Sequence, residues 1–278
     1  MKRPNFIYVG AAKSGSTWLF NLLNSHPNAF LSYSKELYFF DKYYDRGMDW
    51  YLSNFRGAEN ESVVGEISHD YLYDEQVPQR IKEALGADVK ILCFLREPID
   101  KMYSSYSFRV RNGLMDCSFE DALSKDPELI RHVRYGQFLE RYIEVFGKNV
   151  GVFFYDDLKS DPVEFGRSVL SFLGLEDIQY DYAAVVNKAS QPRVKLIAFA
   201  AKKLALMARD YGFQNIVSFV KRSAIVRKIL YKRSETGGPL AVDPALVDVI
   251  VRLFHDDIHK LDEMLEGGVA ERWPHYFG

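Results

Sequence analysis

Short apolar runs alternate with longer amphipathic stretches through the first 175 residues of the chain. The apolar runs predict strands at Phe6–Val9, Ala29–Leu31, Val63–Glu66, Lys90–Leu95 and Val150–Phe154. The intervening stretches predict helices near Thr17–Ser25, Val77–Leu85, Ile99–Asn112, Tyr135–Phe146 and Pro162–Leu173. This alternation is typical of an α/β fold with a central parallel β-sheet flanked by helices, whose ligands bind at the carboxyl ends of the strands.

The chain has a different pattern after residue 180. The breaker Thr236–Pro239 precedes a stretch over Pro244–Leu265 that predicts a final helix, with Leu253, Ile258, Leu261 and Leu265 on its apolar side. We therefore expect a helical C-terminal extension whose last helix closes the core.

A glycine- and hydroxyl-rich turn separates the first predicted strand from the first predicted helix. Gly10 and Gly15 allow a tight loop, and the amides from Ser14 to Thr17 would face an anion at the helix N-terminus. Lys13 adds a full positive charge. The turn therefore predicts a phosphate-binding, P-loop-like site, the alternative being a glycine-rich turn that only begins a helix.

The turn differs from the nucleoside-triphosphatase loop at one position. Gly10, Gly15 and Thr17 fit the G-x-x-x-x-G-K-[ST] template, but Ser16 stands where the lysine belongs, and the lysine is at position 13. Because that lysine reaches the β- and γ-phosphates in triphosphatases, its displacement argues against ATP hydrolysis and favours another phosphate donor.

Five segments, in order, resemble the sulfotransferases that use 3′-phosphoadenosine 5′-phosphosulfate (PAPS), nearest to their heparan-sulfate and carbohydrate branch. The resemblance covers roughly residues 5 to 175. The segments are Lys13–Trp18, Lys35–Asp41 with Gly47–Leu52, Gly65–Tyr71, Arg96–Tyr106, and Tyr155–Leu158 with Asp161–Pro162 and Ser171–Gly174. The resemblance implies one sulfotransferase domain over 1–278, with a nucleotide-binding α/β core over 1–180 and a lid and mainly helical part over 181–278.

The resemblance also implies the donor contacts. The 5′-phosphosulfate loop would comprise Lys13, Ser14, Gly15, Ser16, Thr17 and Trp18. Asn187–Arg193 resembles the start of the family's 3′-phosphate lid, which implies that Arg193 contacts the nucleotide. The 3′-phosphate would meet Arg96 and Ser104, for which there is also a physical argument: a guanidinium offers bidentate donors and a serine hydroxyl adds one more. The alternatives are an ion pair for Arg96 and an ordinary helical serine for Ser104. The scheme requires PAPS as co-substrate and no metal.

Sulfuryl transfer to a hydroxyl needs a base and cations near the bridging oxygen. The resemblance places the family's catalytic glutamate at Glu36, and the apolar residues after it could raise its pKa. Lys13 would neutralise the bridging oxygen. The heparan-sulfate enzymes usually carry a lysine where this chain has Ile67, so the cation set is smaller. His69 could share or replace the role of Glu36, and Glu66 could position Lys13 or the acceptor; a surface glutamate and a structural histidine are the alternatives.

The segment between Tyr38 and Tyr51 holds seven aromatic residues. Tyr43 and Tyr44 are the candidates for stacking on an acceptor sugar, and the alternative is core packing, which we expect for Phe39, Phe40 and Trp50.

Residues 193–233 carry eleven Lys or Arg and one acid, against a net charge of −2 for the whole chain. This basic segment predicts an amphipathic helix that could bind anionic lipid, an acidic acceptor or PAPS, or a solvated face beside the site. No apolar run approaches the roughly 20 residues of a membrane span, and the start shows no secretory segment, so we expect a soluble cytoplasmic protein. Two scattered cysteines indicate neither disulfides nor zinc.

These observations together predict a PAPS-dependent sulfotransferase acting on a hydroxyl of a carbohydrate, glycolipid or related natural product, without a nucleic-acid partner. Two alternatives stay open. One is a P-loop kinase, which would need magnesium. The other is a nucleotide-binding or membrane-docking module that retained the loop and lost the chemistry, for which the Ile67 departure and the basic segment leave room.

Overall fold

A five-stranded parallel sheet forms the centre of the molecule. The computed structural model describes residues 2–183, 190–192, 231–233 and 242–278. The strands are β1 (Phe6–Gly10), β2 (Ala29–Leu31), β3 (Val63–Ile67), β4 (Lys90–Leu95) and β5 (Val150–Phe154), in the order β2-β3-β1-β4-β5. Ser190–Pro192 (β6) pairs antiparallel with Tyr231–Arg233 (β7). The predicted parallel sheet is confirmed, and each predicted strand is correct to within one residue.

The described part of the chain contains ten α-helices, which include the longer helices that the sequence predicts there. They are α1 (Ser16–Ser25), α2 (Gly47–Ser53), α3 (Val77–Leu85), α4 (Pro98–Arg111), α5 (Phe119–Lys125), α6 (Pro127–Arg131), α7 (Tyr135–Phe146), α8 (Tyr155–Ser160), α9 (Pro162–Leu173) and α10 (Pro244–Met264). The sequence analysis did not predict α2, α5, α6 and α8, because helices of five to seven residues are too short to show a full amphipathic period.

Alternate residues of the buried strands face two separate hydrophobic clusters. Ile7, Val9 and Cys93 lie on the side covered by α3, α7 and α10, whereas Tyr8 and Phe94 lie on the side covered by α1 and α9. Both faces of the sheet are therefore covered, which is why these strands are continuously apolar rather than alternating.

The C-terminal helix α10 packs against α7, as expected for a helix that closes the core. Its buried face is Ile250, Phe254, Ile258 and Leu261, whereas Leu253 is 45% exposed, so its predicted place on the apolar side is wrong. The Asp257 carboxylate accepts hydrogen bonds from the amides of Gly136 and Gln137, both at 3.0 Å, and so caps the N-terminus of α7.

The strand order predicts a ligand-binding crevice at the carboxyl end of β1. In the sheet, β3 and β2 lie on one side of β1, and β4 and β5 lie on its other side. In open α/β sheets such a reversal leaves a gap between loops at the carboxyl edge, where ligands bind. The loops that follow β1, β3 and β4 meet there.

Close approach of α10 to α7 requires a glycine at position 136, where a Cβ would lie 2.5 Å from the main-chain oxygen of Asp257. We expect Gly136→Ala to lower the free energy of unfolding by about 1–3 kcal/mol through overpacking. Helix propensity alone would change it in the opposite direction, by about 1 kcal/mol. Urea unfolding followed by circular dichroism measures the difference.

Gly268→Ala is the control, because a Cβ there meets its nearest atom, the Leu265 oxygen, at 3.5 Å. This variant should stay within about 0.5 kcal/mol of the unaltered chain. A Gly136→Ala variant as stable as the control would contradict the packing of α10 on α7.

Candidate active site

The loop between β1 and α1 has the geometry of an anion site. Lys13 and Gly15 adopt left-handed backbone angles, with φ of 69° and 105°, and Gly15 caps α1 without a side-chain hydrogen bond. Amides of the first helical turn therefore remain available to a bound anion. Ser14 is fully buried, and its hydroxyl has no hydrogen-bond partner within the described part of the chain. A buried polar atom without a partner at a helix N-terminus fits a site that a ligand completes.

Several cations surround this loop. The Lys13 ammonium lies 4.6 Å from the centre of the Phe108 ring. Burial, together with the charges of Arg111, Arg96 and Lys35, lowers the pKa of Lys13 to about 8. The ammonium of Lys35 donates to Ser16 Oγ at 3.2 Å and to Thr17 Oγ1 at 3.0 Å. The like charges therefore concentrate positive potential on the loop, as an anionic donor requires.

Arg96, which follows β4, joins the loop to α4. Its Nη1 donates to the main-chain oxygen of Lys13 at 3.2 Å, and its Nη2 lies 3.4 Å from Asp100, so the ion pair considered as an alternative is present. Its buried Nε has no hydrogen-bond partner in the described ranges, and its guanidinium lies over the ring of Tyr155 at 4.8 Å. Arg96 therefore retains a donor for a phosphate. Ser104 is partly buried further along α4.

The two candidate bases lie side by side. Glu36 has a left-handed backbone with φ of 65°, and its amide donates to the Ile67 oxygen at 2.8 Å. Its Oε1 lies 3.3 Å from His69 Nδ1, although the alignment is poor for a hydrogen bond, and 3.9 Å from the Lys35 ammonium. The Tyr38 hydroxyl donates to its Oε2 at 3.4 Å. A carboxylate about one quarter exposed thus faces a histidine and a lysine that contacts the phosphate loop.

Glu66 does not reach the crevice. Its carboxylate has no exposed surface and accepts hydrogen bonds from Ser68 Oγ at 2.7 Å and Tyr71 Oη at 3.2 Å. This placement corrects the expectation that Glu66 positions the acceptor by direct contact, because burial separates its carboxylate from any ligand. Burial raises the pKa of Glu66 to about 7. Ile67 is buried on the opposite face of β3.

The aromatic candidates are mainly packing residues. Tyr44 lies against Phe39 with ring centres 5.4 Å apart, while Tyr43 contacts Trp50 at 6.2 Å and the Arg46 guanidinium at 4.3 Å. Both tyrosines are partly exposed, so an acceptor contact remains a prediction for each.

Trp18 is 6% exposed, and its indole N–H donates to the Tyr182 oxygen at 2.9 Å. Trp18 therefore packs against Phe165 of α9, with ring centres 5.3 Å apart, and its predicted contact with the donor stays a prediction.

Arg193 and nearly all of the basic segment lie outside the described residues, and their predicted roles stay predictions. Across the ranges that the structure describes, no helix is long and apolar enough to cross a membrane.

Two residues of the candidate site were not predicted from the sequence. Lys35 adjoins the predicted base, yet its contact with the Ser16 and Thr17 hydroxyls depends on how the loops after β1 and β2 meet. Tyr155 carries the Arg96 stack and would contact a Cβ at Gly15 at 3.5 Å. Both belong to the motif segments that carry the resemblance, and this position in the sequence is the signal that marks them as candidates.

Comparison with known proteins identifies the family. Residues 3–216 match the sulfotransferase domain model. A membrane-associated sulfotransferase from Dictyostelium discoideum, kil1, is 30% identical over 152 residues, covering 51% of this chain and 32% of that protein. Heparan sulfate glucosamine 3-O-sulfotransferase 5 from Homo sapiens is 29% identical over 188 residues, covering 62% and 54%. The chain thus spans about a third to a half of the length of these relatives.

Solved structures agree with this assignment. A sulfotransferase from Alicyclobacillus acidocaldarius superposes with a TM-score of 0.70 and 25% identity, covering 96% of this chain and 97% of that one. The mouse sulfotransferase SULT7A1 in complex with PAP has a TM-score of 0.57 at 17% identity, covering 99% and 90%, and shares the fold. With the match of the domain model over most of the chain, these findings show that this chain belongs to the sulfotransferase family.

Proposed function

We propose that this protein transfers a sulfuryl group from PAPS to a hydroxyl of a carbohydrate, glycolipid or related natural product. The proposal rests on a series of contacts that connects the predicted phosphate loop to the predicted base, Glu36. Lys35 binds the Ser16 and Thr17 hydroxyls, and the adjacent Glu36 faces His69. A cation for the donor and a base for the acceptor therefore occupy one continuous site.

Donor binding follows from the cations and amides of the loop. The 5′-phosphosulfate would lie at the N-terminus of α1, where Ser14 Oγ, the first-turn amides and Lys13 can reach its oxygens. Arg96 would bind the 3′-phosphate, for which its buried Nε and planar guanidinium are suited. The complex of the SULT7A1 protein with PAP supports PAPS as the donor for a chain with the same fold.

Transfer is a displacement at sulfur. The acceptor oxygen forms a bond to sulfur while the bond from sulfur to the bridging phosphate oxygen breaks, and Glu36 takes the acceptor proton. Negative charge develops on the bridging oxygen as the bisphosphate nucleotide leaves, and Lys13 and Lys35 stabilise it electrostatically. His69, 3.3 Å from Glu36, orients the carboxylate or relays its proton.

The acceptor class is supported by the named activities of relatives and by the aromatic surface beside Glu36. Tyr43, Arg46 and Trp50 form a partly exposed stack after the base segment, with the Arg46 guanidinium 4.3 Å and 4.9 Å from the two rings. Rings of this kind bind sugar faces, and the guanidinium can donate to hydroxyls. The kinase alternative has no support from the family assignment.

We expect tight binding of the desulfated product, 3′,5′-adenosine bisphosphate, in EDTA, and weaker binding of ATP with magnesium. Because Lys13 has a pKa of about 8 in the free site and an anion favours its protonated form, affinity should fall as pH rises from 7.5 to 9.5, approaching tenfold per pH unit. The ligand's phosphates are already ionised in this range. Titration calorimetry measures both effects.

Lys13→Gln should bind the bisphosphate more weakly and lose the pH dependence of binding. Lys148→Gln, at an exposed position after α7, should retain the affinity and the pH dependence of the unaltered protein. ATP binding with magnesium and no bisphosphate binding would overturn the donor assignment and favour a kinase.

Glu36→Gln should retain bisphosphate affinity within about threefold and lose turnover by about 10²–10⁴-fold, the usual contribution of a general base. Sulfation assays with labelled PAPS on a panel of sugars and glycolipids measure kcat, and Glu83→Gln on the exposed face of α3 is the control. Full activity of Glu36→Gln together with inactivity of His69→Ala would assign the base to His69. Bisphosphate binding without turnover on any acceptor would indicate a non-catalytic module.

Lys35→Met should lower kcat by about 10²-fold, because it removes a preorganised charge from the developing bridging oxygen. Bisphosphate affinity should fall by less than tenfold, since Lys13 and Arg96 remain. Lys82→Met on α3 is the matched control. An equal loss of kcat and of bisphosphate affinity would assign Lys35 to ground-state binding instead.

A further inference from the structure

A buried carboxylate lies beneath the segment that carries the proposed base. Glu66 belongs to β3 and faces the side of the sheet covered by α3 and α7, among Phe40, Tyr51 and Tyr71. Ser68 Oγ donates to its Oε2 at 2.7 Å, and Tyr71 Oη donates to its Oε1 at 3.2 Å. The hydroxyl of Tyr51 is also buried beside this carboxylate, without a well-aligned hydrogen bond. The ligand contacts proposed above make no use of Glu66.

Each of the two donating hydroxyls also holds the base segment. The amide of Tyr38 donates to Ser68 Oγ at 3.3 Å, and the amide of Phe40 donates to Tyr71 Oη at 3.2 Å. A hydroxyl has one proton, and when it donates that proton to Glu66 its lone pairs are left for the amide. The ionised carboxylate therefore sets the direction of both hydroxyls.

The base segment needs such support because its backbone is strained. Glu36 and Tyr38 have φ of 65° and 54°, in the left-handed region that residues with side chains rarely adopt. Strained positions of this kind persist where the surrounding structure holds them. The Glu36 amide is held by the Ile67 oxygen at 2.8 Å, and the next two contacts along the segment are those to Ser68 and Tyr71.

We propose that Glu66 is a positioning residue, whose carboxylate aligns the Ser68 and Tyr71 hydroxyls so that they hold residues 36–40 with the Glu36 carboxylate facing the acceptor. This inference rests on the proposed function of Glu36. The positioning role explains why the Glu66 carboxylate is buried on the aromatic side of the sheet, where an apolar side chain would avoid the cost of desolvation. Burial raises the pKa of Glu66 to about 7, so the ionised form prevails at pH 8.

Glu66→Gln tests the proposal, because it keeps the size of the side chain and replaces one acceptor oxygen by a donor. At pH 8, amide hydrogen exchange of the full-length protein should quicken at least fivefold in peptides covering residues 36–42 and stay unchanged over β1 and α1. The kcat for sulfation should fall about 10–100-fold, and the dissociation constant of 3′,5′-adenosine bisphosphate should change less than twofold.

Ser68→Ala and Tyr71→Phe each remove one of the two contacts and separate positioning from general destabilisation. Each should raise exchange in the same peptides and lower kcat by a smaller factor. Added to Glu66→Gln, each should have much less effect than in the unaltered chain, because the residues act as one unit. Glu83→Gln is the matched control and should change neither quantity.

Each outcome of these experiments supports or overturns the proposed role of Glu66. Unchanged exchange over 36–42 in Glu66→Gln would overturn the network, and faster exchange with unaltered kcat would overturn its part in catalysis. Loss of bisphosphate affinity equal to the loss of kcat would show a general structural role and overturn the proposal. If the unaltered protein sulfates no acceptor, the proposed function fails, and the exchange experiment by itself then decides whether Glu66 holds the segment.

Discussion

The burial of β1 between β3 and β4 is the constraint on which the rest of the structure depends. A parallel strand with neighbours on both sides and helices over both faces ends at a fixed point, and the chain must turn there. The turn is the predicted phosphate loop, and the loops after β3 and β4 end beside it for the same reason. His69 and Arg96, far apart in sequence, therefore come to one crevice with Lys13.

The electrostatics of the crevice follow from its desolvation. Burial lowers the pKa of Lys13, and the nearby cations Arg111, Arg96 and Lys35 lower it as well, so the charged lysine is disfavoured in the protein without ligand. A doubly phosphorylated nucleotide would relieve that repulsion. Asp100 balances part of the charge, lying 3.4 Å from Arg96 and 3.5 Å from Lys159.

Around the proposed base, Glu36, residues with left-handed backbone angles lie next to the hydroxyls that hold them. Lys13, Glu36 and Tyr38 all have left-handed backbone angles, and each belongs to a segment facing the crevice. The hydroxyls of Ser68, Tyr71 and Tyr73 hold these segments from behind, since the Tyr73 hydroxyl accepts from the Ala12 amide at 3.3 Å. Buried hydroxyls, together with the main-chain hydrogen bond from Glu36 to Ile67 at the end of β3, hold the main chain of the proposed catalytic residues.

The sequence by itself determined the strands, the longer helices and the phosphate loop, because hydrophobic periodicity, proline and glycine act over a few neighbouring residues. It also identified Glu36, His69 and Arg96 as candidates, through motifs that are contiguous along the chain. Only the tertiary structure decided that Glu66 and Trp18 lie inside, that Leu253 faces outward, and that Lys35 reaches the Ser16 and Thr17 hydroxyls. Those outcomes depend on which loops meet across the sheet edge and on which face of a strand or helix is covered. Contacts between residues distant in sequence set them, and no local pattern encodes such contacts.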